Sequence, residues 1–237
     1  MNTVPETPSP DLPPATLGIH HGLIGSVAIV AAMLGASAWA NASIPPGARL
    51  PIHWNVAGKA DGYGSATQAL LLIPAISAGT ALLMAAITKL EPRREHLRQS
   101  MRAYVLIWLT ILMLLLVVHV AMLAAALGNH VDMTRVMIVS MGVMFVVIGN
   151  YMGKLRSNFF AGVRTPWTLS SELSWNKTHR LAGKLFVVLG LLSVVLGAIG
   201  NGFTMIALYA VATPAMLVWL LAYSYLVWKV DPDRRTT

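Results

Sequence analysis

The sequence predicts an all-α, polytopic membrane protein: a bundle of six transmembrane helices with both termini in the cytoplasm. Three observations predict it. Of the 237 residues, 56% are hydrophobic and 11% charged, with a mean hydropathy of +0.66, whereas a soluble domain carries about 25% charged residues. The apolar residues come in continuous runs of roughly 20, the length that crosses a hydrocarbon core as a helix, without the alternation of barrel strands. Lys and Arg gather in alternate links between the runs, as membrane orientation requires. A helical bundle follows because lipid-facing backbone must satisfy its own hydrogen bonds. The formal charge of +8 is therefore an orientation signal and not a nucleic-acid footprint, so no direct nucleic-acid partner is expected. The absence of cysteine excludes disulfides, thiol catalysis and thiolate metal sites.

Residues 1–18 hold five prolines, Glu6 and Asp11 but no Lys or Arg, and read as a disordered tail. The first span runs from about Gly22 to Ala40. Ala38-Trp39-Ala40 and Ala40-Asn41-Ala42 fit a small-x-small cleavage pattern, but no basic residues precede the run and it is long for a signal sequence, so it is read as a span. The second span is about Ala69 to Thr88, with Pro74 expected near its start, where proline is tolerated best. The segment Lys89 to Arg102 is expected to be a solvated, orienting loop. The third span is about Ala103 to Leu127 and the fourth about Thr134 to Met152, joined by a short Gly128–Asp132 link. Residues 185–228 are almost unbroken apolar and make two spans with Gly200-Asn201-Gly202 as the turn. The chain divides into an N-terminal membrane module, 19–128, and a C-terminal one, 129–237.

Placing the 89–102 segment, the 154–184 region and the tail on one side leaves only Arg49, Lys59 and Arg135 of the 17 Lys and Arg on the other. The basic side is expected to be cytoplasmic and the 41–68 loop external. The two triplets of spans share a layout and enter the membrane from opposite sides, as in the inverted repeats of transporters, although sequence similarity between them is slight.

Two polar stretches carry the candidate chemistry. In the outer loop, Pro45-Pro46 and Pro51 stiffen the entry, and Gly58, Gly62 and Gly64 predict turns with positive φ. The loop is expected to be folded and to present His53, Trp54, Asn55, Asp61 and Tyr63, either to something arriving from outside or as an interfacial cap with Trp54 and Tyr63 at the headgroups. His53 and Asp61 supply too few ligands for a metal, and no metal or cofactor is expected. The longest polar segment is Phe159 to Lys184. Thr165-Pro166 predicts an extended residue followed by a break; Trp167 follows. Thr168 to Ser171 offer N-caps to a helix beginning near Ser171, with Glu172 at its positive end. On that helix Glu172, Asn176 and His179 are expected to share one face, among Arg164, Lys177, Arg180 and Lys184. This is either a polar pocket for an anionic group or partner, or a snorkelling collar against anionic lipid. Glu172 and His179 lack any accompanying nucleophile or metal cluster, so no catalytic residues are assigned and no enzyme is expected. Within the spans, His119 is a functional candidate as an intramembrane ionisable group or a neutral histidine bonded to a neighbouring helix. Asn150 is expected to be interhelical glue.

The two stretches resemble one known family. Ile52-His-Trp-Asn with Gly58 and Asp61-Gly-Tyr-Gly is similar to the N-terminal module of the SdpI family of bacterial membrane proteins. Gly149-Asn-Tyr-Met-Gly-Lys154, Asn158-Phe-Phe-Ala-Gly-Val-Arg-Thr-Pro-Trp-Thr-Leu169 and Lys177-Thr-His-Arg-Leu-Ala-Gly-Lys184 resemble its C-terminal module. The resemblance implies a multi-pass protein of a bacterial cytoplasmic membrane that confers immunity to a secreted, membrane-active peptide toxin. In the founding case such a protein also holds a transcriptional repressor at the membrane. The proline-rich N-terminus lies outside the family pattern. A small-solute transporter with opposed three-helix halves is the alternative.

Overall fold

The computed structural model describes residues 18–55, 57–199 and 202–234. The proline-rich tail and the Gly200-Asn201 turn lie outside the described residues. Six helices are long and apolar enough to cross a membrane: α1 (Ile19–Asn41), α2 (Ala66–Leu90), α4 (Met101–Ala126), α5 (Met133–Met152), α7 (Glu172–Ile199) and α8 (Gly202–Lys229). Helices α1, α2 and α4 pack on one another, α7 packs between α5 and α8, and α4 meets α5 to join the two groups. Four further elements lie among the described residues: β1 (Arg49–Trp54) and β2 (Ala60–Ser65), which pair as a hairpin, and the short helices α3 (Arg94–Gln99) and α6 (Pro166–Ser170).

The spans begin where the sequence supplies caps. Ser65 Oγ accepts from Gln68 N at 3.2 Å while Gln68 Oε1 accepts from Ser65 N at 2.9 Å, a reciprocal box that starts α2. Asp132 Oδ1 accepts from Arg135 N at 2.9 Å and starts α5.

Pro74 is not near the start of α2 but well inside it. A proline there removes the amide that would bond the carbonyl four residues back, which is that of Leu70. Ser37 Oγ of α1 donates to this carbonyl at 2.7 Å. A serine hydroxyl has one proton, so His119 of α4, whose Nε2 lies 2.9 Å from Ser37 Oγ and 3.3 Å from Met33 O, carries its proton on Nε2 and donates. His119, Ser37 and the carbonyl freed by Pro74 thus form one buried chain across α4, α1 and α2. Of the two expectations for His119, the structure supports interhelical bonding. Asn150 does not serve that purpose: it is exposed, and its Nδ2 donates to Val146 O of its own helix at 2.8 Å.

The tightest helix pair is α5 with α7. Glycines recur at intervals of seven on both, at 142 and 149 and at 183, 190 and 197. A Cβ on Gly149 would stand 2.6 Å from Gly183 O, and one on Gly183 would stand 2.6 Å from Gly149 O. Gly142 and Gly190 face each other's carbonyls in the same way. Small residues let membrane helices approach to backbone contact, where packing and Cα–H···O contacts replace the absent hydrophobic drive.

Candidate functional site

The 41–68 loop is folded, as expected, but into an antiparallel hairpin. Arg49 pairs with Ser65, Leu50 with Gly64, Pro51 with Tyr63, His53 with Gly62 and Trp54 with Ala60, with the register broken on either side of His53. Gly58 has the expected positive φ, 73°. Gly62 and Gly64 do not: they are strand residues. Gly62 is small for a different reason, since a Cβ there would meet His53 Cβ at 2.8 Å. Gly47 supplies a second positive φ, 78°.

The hairpin is fixed at three points. Leu50 is buried with Ala69 and Met122, and Ile52 and Trp54 pack on that cluster, which seats β1 on α2 and α4. Asn55 Oδ1 accepts from Ala57 N at 2.9 Å and Lys59 N at 3.1 Å, so Asn55 shapes the turn. A Cβ on Gly58 would lie 3.0 Å from Thr134 Oγ1, which sets that turn against the start of α5. On this mount His53 and Asp61 are exposed, with Nδ1 and Oδ1 2.6 Å apart. Tyr63 is exposed and Trp54 half-buried. Of the five predicted residues, His53, Asp61 and Tyr63 are presented outward, while Trp54 and Asn55 hold the fold. Among the described residues no three His, Asp or Glu gather as metal ligands.

The second stretch begins as a strap, residues 153–165, that leaves the end of α5 and crosses α7. Asn158, fully buried, organises it: Oδ1 accepts from Phe160 N and Ala161 N, and Nδ2 donates to Arg156 O and Ala161 O. Gly162 has φ +114°, and a Cβ there would stand 2.2 Å from His179 Nε2. His179 is buried, stacked on Trp175 with centroids 3.9 Å apart. Its Nδ1 donates to Trp175 O at 2.8 Å and its Nε2 accepts from Val163 N at 3.0 Å. Trp175 Nε1 donates to Leu155 O at 2.7 Å. His179 and Trp175 therefore clamp the strap to α7.

Thr165 is extended and caps α6, accepting from Thr168 N at 3.1 Å, with Pro166 in the first helical turn. Spacing alone missed this short helix, since Thr165 serves as its cap and the break falls after it. Thr165 Oγ1 donates to Ser224 Oγ at 3.1 Å, and Trp167 packs edge-on against Tyr225 at 5.2 Å, which ties the strap's end to α8. Ser171 caps α7 as expected, accepting from Ser174 N at 2.9 Å, and donates to the buried Asp231.

Glu172, Asn176 and His179 lie along one face of the continuous helix α7, as expected, but they do not form one pocket. Glu172 and Asn176 are exposed and His179 is buried, because the strap covers α7 at His179 but not at the first turn. Lys177, Arg180, Lys184 and Arg164 are exposed as expected. With both His179 nitrogens on backbone partners, no acid–base pair with Glu172 exists here.

The 89–102 segment is not a solvated loop. Glu91 is fully buried and accepts from Arg93 N at 2.9 Å and from Phe159 N at 3.0 Å. Arg93 donates to Ser157 Oγ and, at 2.9 Å, to Leu169 O, and lies over the Phe159 ring at 4.8 Å. His96 Nδ1 bonds Ser157 O at 2.8 Å, and Ser100 Oγ accepts from Arg156 N at 2.7 Å. A buried carboxylate is tolerable only with such donors. A cavity of about 580 Å³ opens between this platform, the start of α7 and the tail, lined by Arg93, His96, Ser171, Glu172, Asp231 and Asp233.

These features define a multi-pass helical membrane protein with a rigid hairpin at one end and a clamped polar strap at the other. Residues 154–224 match the SdpI/YfhL protein family, and residues 28–78 match a domain of unknown function, DUF1648. The immunity protein SdpI of Bacillus subtilis (strain 168) is 28% identical over 123 residues, which is 52% of this chain and 59% of that protein. The chain is thus similar to SdpI-type proteins over its C-terminal part, and the match spans less than two thirds of that relative's length. The first match contains most of the strap with α6 and α7, the second the whole hairpin. No solved structure matches the chain.

Proposed function

We propose that this protein protects a bacterial cytoplasmic membrane against a secreted, membrane-active peptide, acting as a non-enzymatic binding protein. The observation that carries the reading is the outer hairpin: an exposed His53–Asp61 pair beside exposed Tyr63, fixed on three spans, in a chain similar to an immunity protein. A peptide-binding surface gains from such fixing, because a pre-ordered surface loses little entropy on binding. The side of the strap is cytoplasmic in this reading, supported by the placement of Lys and Arg. There the cavity holding Arg93, Glu172 and Asp233 offers both charge signs to a cytoplasmic partner, such as a repressor held at the membrane.

The test is membrane potential, read by dye in a sensitive bacterium challenged with membrane-active peptides. Expression preserves the potential against the cognate peptide. His53→Ala or Asp61→Ala removes that protection while the membrane fraction holds the same amount of protein. Protection that survives both substitutions would overturn the role of the hairpin. The transport reading retains one observation: His119 Nδ1 is buried without a partner. In that reading His119→Ala abolishes solute flux in proteoliposomes.

A further inference from the structure

Helices α5 and α8 both pack on α7 but meet each other only sparsely. Between them runs an apolar groove of about 630 Å³ with Phe186 of α7 at its base, Ile148 and Met152 on the α5 side, and Val218 and Leu221 on the α8 side. Val218 is 68% exposed, and an outward apolar residue of a span faces hydrocarbon. The groove is closed at one end by strap residues Gly162 to Thr165. A guanidinium stands at that end: Arg164 is exposed and donates one N–H to Phe159 O, of the five that arginine carries. Further cations sit at the same end of α5. Lys154 Nζ lies over the Tyr151 ring at 4.5 Å, and a Cβ on Gly153 would touch Arg180 Cγ at 3.3 Å.

We propose that this groove is a binding site for one anionic phospholipid, its acyl chain along α5 and α8 and its phosphate on Arg164. The chemistry is complementary at both ends. The walls are as apolar as a lipid chain, and a planar guanidinium fits a phosphate with paired hydrogen bonds. Basic pockets between spans hold anionic headgroups by this logic. A water-soluble anion gains nothing from the apolar length of the groove.

The test is native mass spectrometry of the full chain released from micelles holding equal phosphatidylglycerol and phosphatidylcholine of the same chain length. The wild type retains one phosphatidylglycerol in preference to phosphatidylcholine. Arg164→Gln lowers that preference about fivefold, the effect of one basic residue at an anionic surface. Arg98→Gln, an exposed cation on α3, leaves it unchanged. Val218→Trp fills the groove and lowers retention of both lipids, so the site remains testable if Arg164→Gln fails to fold. Equal retention of the two lipids by the wild type would overturn the proposal. So would an equal loss in the Arg98 and Arg164 variants, which marks a general basic collar, or a retained peptide in place of lipid.

Discussion

Replacing Gly190 by alanine places a methyl carbon 2.5 Å from Gly142 O and 2.8 Å from both Val146 N and Val146 Cγ2. The first and second of these are backbone atoms of a helix and cannot rotate away. Ordinary carbon contact needs roughly 3.5 Å, so α5 and α7 must part by about 1 Å, and a gap of that size forfeits a quarter to a half of the dispersion well along the seam. Overpacking of this kind costs about 1–3 kcal/mol. Gly79 of α2 is the control, since a Cβ there meets nothing within 4 Å. Gly79→Ala should be neutral or stabilise by about 0.5–1 kcal/mol through helix propensity. The assay is unfolding of the purified full chain in detergent, followed by circular dichroism against added SDS. Gly190→Ala should shift the midpoint down and Gly79→Ala should not. Equal midpoints for the two variants would refute the backbone-contact account of α5 and α7.

Two further substitutions probe the other buried connections. Glu91→Ala removes the acceptor of the part-buried Arg93 and Phe159 amides, at about 1 kcal/mol for a lost hydrogen bond, and should make residues 153–165 cleavable by protease while the spans stay protected; an unchanged digestion pattern would count against the platform. Ser37→Ala should cost about 1 kcal/mol, typical of a polar contact between membrane helices, and less in a Pro74→Ala background where residue 74 regains an amide for Leu70 O; identical costs in both backgrounds, read by double-mutant cycle, would refute the coupling of Ser37 to the proline.

The spans were legible because hydrophobicity is a property of each residue, and the start of α7 because Ser171 is a local cap. What escaped depends on partners distant in the chain. Asp61-Gly-Tyr-Gly64 reads as a turn, yet Gly62 is small because His53 stands opposite it across the hairpin. Glu91 reads as one more loop charge until the Phe159 amide arrives to bond it. Pro74 reads as a helix start because nothing local shows that Ser37 will take its orphaned carbonyl. Asn158 was visible inside the strap motif, but its four backbone bonds exist only once the loop has closed on itself. The seven-residue glycine spacing on two spans was the one signal in plain view that periodicity could have used, and it marks the tightest contact in the molecule.

That contact bears on how the two polar stretches relate. The hairpin turn at Gly58 rests against the first turn of α5, and the strap leaves α5 at its last turn. The strap is then clamped to α7 through His179 and Trp175. Between those ends the Gly142–Gly190 and Gly149–Gly183 contacts join α5 and α7 through backbone. A pair held this way has little room to bend or slide by fractions of an ångström, so it moves as one body or not at all. On the proposed reading, a peptide pressing on the hairpin would meet a lever that ends at the strap. The groove inferred above lies beside this lever, between α5 and α8, where contact is sparse. If the hairpin acts on the cytoplasmic side, the motion belongs to α5 and α7 together against α8, and the Trp167–Tyr225 and Thr165–Ser224 contacts are where it is felt. Two-state coupling of that kind requires that these contacts break or shift. A cross-link between positions 165 and 224 should then leave peptide binding intact while abolishing any response on the cytoplasmic side.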